Sequence, residues 1–204
     1  MKYKTNNLFP TDGVLLSRSE KEKLTGQRGM VVWLVGLSGS GKSTLANALD
    51  RYFYEQGRLS VVLDGDNVRR GLNGNLGFSD EDRRENLRRV AEVSALFVRN
   101  GLLVINAFIT PREEYRRHAR DILGEDLVEV YVRCSFDHCA ERDVKGLYAK
   151  AGRGEVSQFT GRDSAFEEPQ QPDLVVDTEK QSEEESLQTL IEFLAPRYRV
   201  GSGQ

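Results

Sequence analysis

The chain has 204 residues, of which 29 are lysine or arginine and 32 are aspartate or glutamate, so its net charge is -3. This length suits one α/β domain, and the charge lacks the basic excess that a nucleic-acid-binding protein would carry. No apolar run approaches the ~20 residues of a membrane span, the start of the chain lacks a basic-then-apolar signal, and two cysteines do not suggest a disulfide framework. We therefore expect a cytoplasmic protein with neither a nucleic-acid nor a membrane partner.

Residues 1–28 are polar and are interrupted by Pro10, Gly13 and Gly26. Their pattern predicts an N-terminal arm with a short helix that is capped by Ser17 or Ser19. The arm would lie on the domain or on a partner subunit, and partial disorder is the alternative that the sequence leaves open. Residues 29–204 are expected to form the one folded domain.

A phosphate-binding loop is predicted at residues 36–44, which match the pattern G-x-x-x-x-G-K-S/T. The apolar run Val31–Val35 predicts a buried strand before the loop, and the helical spacing of apolar residues from Leu45 to Phe53 predicts a helix after it. Glycine amides and the helix N-terminus would hold the phosphates of a nucleoside triphosphate. Lys42 would reach the β- and γ-phosphates, and the Ser43 hydroxyl would bind Mg²⁺. The expected nucleotide ligands of this loop are Gly36, Ser38, Gly39, Ser40, Gly41, Lys42, Ser43 and Thr44.

A second strand, predicted at residues 59–63, places Asp64 at its carboxyl end, with Asp66 and Arg69 just beyond. In an open α/β sheet this is the edge at which ligands bind. We expect Asp64 to act beside Mg²⁺ and the attacking group. A compatible alternative is a helix start that is capped by Asp66 or Asn67.

Phe78 is an isolated aromatic residue at the tip of a loop rich in glycine and asparagine, and Ser79 and the acidic residues after it predict the start of a helix. The apolar stripe of this helix, extended back by one turn, passes through Arg83, and Asn86 shares that face. We therefore expect Arg83 and Asn86 to face the cleft, whereas the neighbouring arginines form surface ion pairs. For Phe78, hydrophobic stapling of the helix is the simpler interpretation.

The remaining chain continues the alternation of strands and helices. Strands are predicted at residues 102–108, 127–132 and 173–177, and helices at residues 112–123, 137–143 and over the apolar stripe of residues 187–194. Thr110 and Pro111 suit the N-cap and first position of a helix. Residues 145–172 mix glycines with lysines and arginines and lose the strand pattern, which predicts a mobile basic lid. Cys134 and Cys139 are expected to pack in the ordinary way, without a metal.

This order predicts an α/β protein of the P-loop kinase type, with a five-stranded parallel sheet and helices on both faces. The triphosphate loop, Asp64 and a second pocket of cationic and aromatic groups indicate a kinase whose acceptor is a small anionic, planar molecule such as a nucleotide.

Six blocks of the sequence, in order and spacing, resemble the adenylylsulfate kinase (APS kinase) family. They are residues 36–44, Leu63–Arg69, Leu76–Ser79, Glu85–Val90, Lys145–Tyr148 and Phe159–Gly161, and the resemblance extends from about Ser17 to Asp177. It implies transfer of phosphate from ATP to the 3′-hydroxyl of adenylyl sulfate, giving 3′-phosphoadenylyl sulfate. It also implies a homodimer that works with an ATP sulfurylase.

The resemblance assigns Asp64 and Lys42 to catalysis, Ser43 and Asp64 to Mg²⁺, and Arg142 to the ATP base. The implied adenylyl sulfate ligands are Asp66, Arg69, Phe78, Arg83, Asn86, Ile109, Lys145 and Phe159, with the two phenylalanines on either side of the adenine. Thr110 replaces the usual serine of the family, and we interpret it as positioning the acceptor rather than as a nucleophile. Two alternatives remain: a non-catalytic nucleotide-binding regulatory domain, and another small-molecule P-loop kinase.

Overall fold

The computed structural model describes residues 15–144, 146–155, 160–161 and 165–199. The strands are β1 (Met30–Val35), β2 (Ser60–Asp64), β3 (Leu103–Phe108), β4 (Leu127–Arg133) and β5 (Leu174–Asp177). The helices are α1 (Arg18–Thr25), α2 (Lys42–Glu55), α3 (Gly65–Arg70), α4 (Asp80–Val98), α5 (Glu113–Leu123), α6 (Phe136–Arg142), α7 (Leu147–Gly152) and α8 (Glu183–Tyr198). A 3₁₀ turn at Gly124–Asp126 connects α5 to β4.

The five strands form one parallel sheet in the order β2-β3-β1-β4-β5. All six residues of β1 are buried, because a central parallel strand is covered by helices on both faces. Alternate side chains of β1 enter different cores: Leu34 packs with residues of α2 and α8, whereas Trp33 packs with residues of α4 and α5. The sheet and its two helical layers confirm the predicted α/β fold.

The register of the sheet aligns the carboxyl ends of neighbouring strands. Val35 at the end of β1 lies opposite Phe108 of β3 on one side and Tyr131 of β4 on the other, and Asp64 of β2 lies opposite Ala107. Since the strands are parallel, the loops that leave their carboxyl ends meet at one edge. No helix in the described part of the chain is long and apolar enough to cross a membrane.

The described part of the N-terminal segment packs on this domain. Ser17 caps α1 and forms a capping box with Glu20, which confirms one of the two expected caps. Arg18 forms an ion pair with Asp126 at 2.6 Å. The side chain of Gln27 is buried and bonds to both backbone groups of Leu59. Residues 1–14 of the predicted arm lie outside the described residues.

Two predicted helix caps are wrong. Helix α5 begins at Glu113 with Arg112 as its N-cap, and Thr110 has a left-handed backbone (φ 45°), whereas a threonine N-cap normally has an extended backbone. Helix α3 is capped by the carboxylate of Asp64, which accepts from the amide of Asp66, and not by Asp66 or Asn67. At α3 the cap is the last residue of β2, and at α5 the chain first turns away from the end of β3.

Candidate active site

A cleft of about 640 Å³ opens at the carboxyl edge of the sheet. It is lined by most of the predicted site residues: Ser38, Gly39, Gly41, Lys42, Ser43, Thr44, Asp64, Asp66, Arg69, Phe78, Arg83, Asn86, Ile109, Thr110 and Arg142. Lys145 and Phe159, the other two predicted acceptor ligands, lie outside the described residues. Groups from the segments after β1, β2 and β3 and from α4 therefore share one cavity.

The loop after β1 is shaped by close backbone packing. A Cβ on Gly36 would lie 2.5 Å from the carbonyl oxygen of Val132, so only glycine fits there. Gly39 and Gly41 have left-handed φ values of 80° and 96°. Lys42 is buried, and its ammonium donates to the carbonyl of Leu37 at 2.6 Å, which folds the side chain over the loop.

Two of the predicted loop ligands lie behind the cleft wall. The amide of Gly36 donates to the carbonyl of Ile109 at 3.4 Å, and that of Ser40 donates to the carbonyl of Leu37 at 3.1 Å. Ser40 is fully buried, with its hydroxyl beneath the loop. These two residues support the shape of the loop, and the residues on its outer side face the cavity.

Ser43 and Asp64 connect the ends of β1 and β2. The Ser43 hydroxyl donates to one carboxylate oxygen of Asp64 at 2.7 Å, and the other oxygen accepts from the amide of Asp66 at 3.0 Å. Asp64 is thus fixed by two hydrogen bonds at the edge of the loop. A hydroxyl and a carboxylate this close together are the hard oxygen ligands that Mg²⁺ prefers.

The opposite half of the cleft carries two guanidinium groups and an aromatic ring. Arg69 lies 4.5 Å from the ring centre of Phe78 and donates to the carbonyl of Gly77 at 2.7 Å. Arg83 donates to the carbonyl of Phe78 at 2.8 Å and to the hydroxyl of Thr160 at 2.9 Å. Phe78 remains 60% exposed. The loop tip is therefore held by its backbone, and its aromatic ring stays accessible.

Burial lowers the pKa of the Arg83 guanidinium. Burial also lowers the pKa of the Arg69 guanidinium, and the positive charge of Arg83 lowers the pKa of Arg69 further. The nearby carboxylates Asp66, Asp80 and Asp82 oppose this shift. Two partly desolvated cations close to one another favour an anion between them, because an anion relieves both their burial and their repulsion.

Asn86 is buried below these arginines, and its side-chain oxygen accepts from the amide of Asn73 at 2.8 Å. The side-chain amide of Asn73 also lies 3.4 Å from the backbone carbonyl of Asn86, which fixes its orientation. With its oxygen occupied, Asn86 has its own amide group available to donate into the cleft. No sequence pattern indicated Asn73, because its contact with Asn86 depends on how the loop before α4 folds back.

The face of the loop nearest α6 is held by residues that sequence reasoning missed. Thr178, just after β5, donates to the carbonyl of Ser40 at 2.8 Å, and its own carbonyl accepts from Arg142 at 2.5 Å. Tyr148 donates to the carbonyl of Ser38 at 2.7 Å. Thr178 and Tyr148 lie 138 and 110 positions along the chain from their partners in the loop, so no local pattern could reveal these two bonds.

The two cysteines are free and buried. Burial raises the pKa of the Cys139 thiol to about 12, so the thiol stays protonated and unreactive at neutral pH. The described residues contain no cluster of three or more histidine, cysteine, aspartate or glutamate side chains of the kind that holds a metal by protein ligands alone.

Comparison with known proteins places this site in a family. The family model described as Adenylylsulphate kinase matches residues 28–177. An adenylyl-sulfate kinase of Phocaeicola vulgatus is 54% identical over 191 residues, which cover 93% of this chain and 94% of that protein. The solved structure of the APS kinase of Mycobacterium tuberculosis in complex with AMPPNP and APS is 46% identical with a TM-score of 0.79, covering 82% of this chain and 98% of that one. A hexameric APS kinase from Thiobacillus denitrificans is 31% identical with a TM-score of 0.64, covering 84% of this chain and 30% of that one.

Proposed function

Because the chain belongs to the adenylylsulfate kinase family, we propose that it transfers the γ-phosphoryl group of ATP to the 3′-hydroxyl of adenylyl sulfate. The products are ADP and 3′-phosphoadenylyl sulfate. The observation that carries the proposal is the position of Asp64, which bonds to the phosphate-loop residue Ser43 and faces the same cleft as Arg83 and Phe78. A carboxylate at the boundary between a triphosphate site and an anion-binding aromatic site is what phosphoryl transfer between two nucleotides requires.

On the ATP side, Lys42 and the amides of the loop neutralise and orient the phosphates. Lys42 must turn from the carbonyl of Leu37 toward the β- and γ-phosphates, a change that its flexible stem permits. The guanidinium of Arg142, held against Thr178, forms a side of the cleft where the ATP base would pack. Positioning and charge neutralisation of this kind supply most of the catalysis in phosphoryl transfer.

Mg²⁺ fits beside Ser43 and Asp64, whose adjacent oxygens are suitable ligands. This ion commonly binds through one or two protein oxygens together with substrate phosphates, which agrees with the small number of acidic groups here. When bound, Mg²⁺ neutralises charge on the β- and γ-phosphates during transfer.

On the acceptor side, Arg69 and Arg83 would bind the anionic groups of adenylyl sulfate, and Phe78 would stack on its adenine. Asn86 offers an amide donor, while Asp66 and Ile109 contribute to the wall of the cleft. We propose that Lys145 and Phe159, within the predicted lid of residues 145–172, complete this half.

In the reaction, Asp64 orients the 3′-hydroxyl and accepts its proton. The bond from the 3′-oxygen to the γ-phosphorus forms as the bond from that phosphorus to the leaving oxygen of ADP breaks. Closure of the lid would exclude water, which would otherwise compete as the acceptor.

The test is direct incubation of the purified protein with ATP, Mg²⁺ and adenylyl sulfate, with ADP release and the 3′-phosphorylated product both measured. We expect turnover that depends on adenylyl sulfate. Tight nucleotide binding without turnover would favour a regulatory domain, and turnover with AMP or dAMP instead would favour another small-molecule kinase.

We further propose that the protein is cytoplasmic, forms a homodimer and receives its acceptor from an ATP sulfurylase. We also propose that the chain consists of an N-terminal arm, residues 1–28, and a kinase domain, residues 29–204. Sedimentation of the full chain beside a version that lacks the arm would test whether the arm contributes to the dimer.

A further inference from the structure

Thr110 lies in the cleft wall in an unusual conformation. Its φ of 45° is left-handed, which is rare and costly for a β-branched residue, and only 2% of its surface is exposed. It lies two residues beyond β3, so it follows the strand that pairs with β2 and with β1. A strained backbone is retained only where the surrounding structure holds it, and two buried side chains do so here.

The first of these is Trp33, whose indole nitrogen lies 2.9 Å from the hydroxyl oxygen of Thr110. Trp33 is almost completely buried within β1, and its ring lies against Phe108 with the two ring centres 6.0 Å apart. An indole N–H can only donate, so the Thr110 oxygen must accept in this bond. The hydroxyl proton of Thr110 is therefore free to be donated elsewhere.

The second is Arg116, whose side chain is 2% exposed and donates to the backbone carbonyl of Thr110 at 3.0 Å. Arg116 is held in turn by Glu113 at 2.8 Å and lies 3.6 Å from Glu129. Trp33 thus fixes the side chain of Thr110, and Arg116 fixes its backbone.

We propose that Trp33 is a positioning residue for the acceptor: by occupying a lone pair of Thr110, it directs the Thr110 O–H to an oxygen of adenylyl sulfate. Thr110 lines the cleft, and its buried side faces Trp33 and Arg116 across a void too small to hold a water molecule. The Thr110 proton would therefore be donated toward the cleft, where the proposed acceptor binds. This inference rests on the proposed function, since it names the acceptor of that reaction.

A double-mutant cycle tests the inference. Trp33→Phe removes the indole N–H but keeps an aromatic ring beside Phe108, and Thr110→Val removes the hydroxyl but keeps the β-branched shape. We expect Thr110→Val to lower kcat/KM for adenylyl sulfate about 10- to 100-fold, the range for loss of a hydrogen bond to a charged group. Trp33→Phe should lower it about 5- to 10-fold in the wild-type background and less than about twofold in the Thr110→Val background.

Two controls separate positioning from general stability. The KM for ATP should change little in each variant, because the hydrogen bond between these two side chains does not involve the phosphate loop. Thr110→Ser keeps a hydroxyl, so Trp33→Phe should still lower kcat/KM for adenylyl sulfate in the Thr110→Ser background. Since the chain has a single tryptophan, its fluorescence also reports this position, and adenylyl sulfate should change the emission more than a non-hydrolysable ATP analogue does.

Additive effects of the two substitutions, or a rise in the KM for ATP as large as the loss of kcat/KM for adenylyl sulfate, would show that Trp33 only packs and would overturn the inference while leaving the proposed function intact. A wild-type protein that does not turn over adenylyl sulfate would overturn both. The wild-type assay therefore distinguishes the two failures.

Discussion

The role of Asp64 is best tested by two substitutions that separate its structural contact from its charge. Asp64→Asn keeps an oxygen that accepts from the amide of Asp66, and its new NH₂ group can donate to the Ser43 hydroxyl. Asp64→Ala removes both contacts. If Asp64 acts on the 3′-hydroxyl, both variants lose the reaction, but only the alanine variant loses the helix cap.

The magnitudes follow from these contacts. Loss of a general base typically costs 10²- to 10⁴-fold in rate, which corresponds to about 3–5 kcal/mol in activation free energy. Loss of an N-cap costs about 0.5–2 kcal/mol, and about 1 kcal/mol lowers the melting temperature of a domain of this size by about 2–4 °C. Asparagine is as good an N-cap as aspartate, so Asp64→Asn should melt close to the wild type.

The assay combines three measurements on each variant: steady-state ADP release with saturating adenylyl sulfate, thermal unfolding, and nucleotide affinity. Nucleotide affinity is measured without Mg²⁺, because Asp64 is also a proposed ligand of that ion. We expect kcat to fall at least about 100-fold in both variants, with nucleotide affinity largely unchanged.

A kcat for Asp64→Asn within about tenfold of the wild type would refute the reasoning, because the charge would then be unnecessary for transfer. A large drop in the melting temperature of Asp64→Asn would instead show that the carboxylate is needed for folding, and its loss of activity could not be assigned to chemistry.

Three further predictions concern the loop, helix α4 and the acceptor half. Gly36→Ala would push the loop from the Val132 carbonyl, so we expect steady-state kinetics to show a fall of about tenfold or more in kcat/KM for ATP; unchanged ATP kinetics would contradict this. The pKa of Glu85 is lowered to about 2, mainly by a hydrogen bond from an arginine on the same helix, so Glu85→Gln should lower the melting temperature at pH 7. The difference in melting temperature between Glu85→Gln and the wild type should shrink as the pH falls below 4.5, the ordinary pKa of a glutamate. Thermal unfolding over a pH series measures this difference, and a difference that grows at low pH would refute the prediction. Arg83→Met should raise the KM for adenylyl sulfate about tenfold or more without raising that for ATP, and an equal rise for both would count against its placement.

The sheet, its two helical layers and the phosphate loop were predictable because their signals are local. The unbroken apolar run of β1 requires cover on both faces, and the loop pattern fits only between a strand and a helix. The apolar stripe of α4 likewise predicted that Arg83 and Asn86 face the cleft, and both line it. Each of these predictions used only residues that are close together in the sequence.

The wrong caps show where local reasoning stops. Thr110 and Pro111 fit a helix start by residue type, yet the chain must first turn from the edge of β3. That turn uses a left-handed backbone at Thr110, which residue preferences would not select. Trp33 and Arg116 stabilise it from other elements, 77 and 6 positions away along the chain. The preference was therefore overridden by contacts that exist only in the folded molecule.

The two halves of the cleft are consequently built in different ways. The phosphate loop follows from nine consecutive residues. The proposed acceptor half depends instead on pairs such as Arg83 with Thr160, which are 77 positions apart, and Asn73 with Asn86, of which only Asn86 lies on α4. A sequence motif therefore predicts the triphosphate, because its binding is encoded locally. The acceptor depends on side chains that only the fold brings together, so substitutions at Asn73 or Thr160, outside any phosphate motif, should alter the choice of acceptor before they alter the use of ATP.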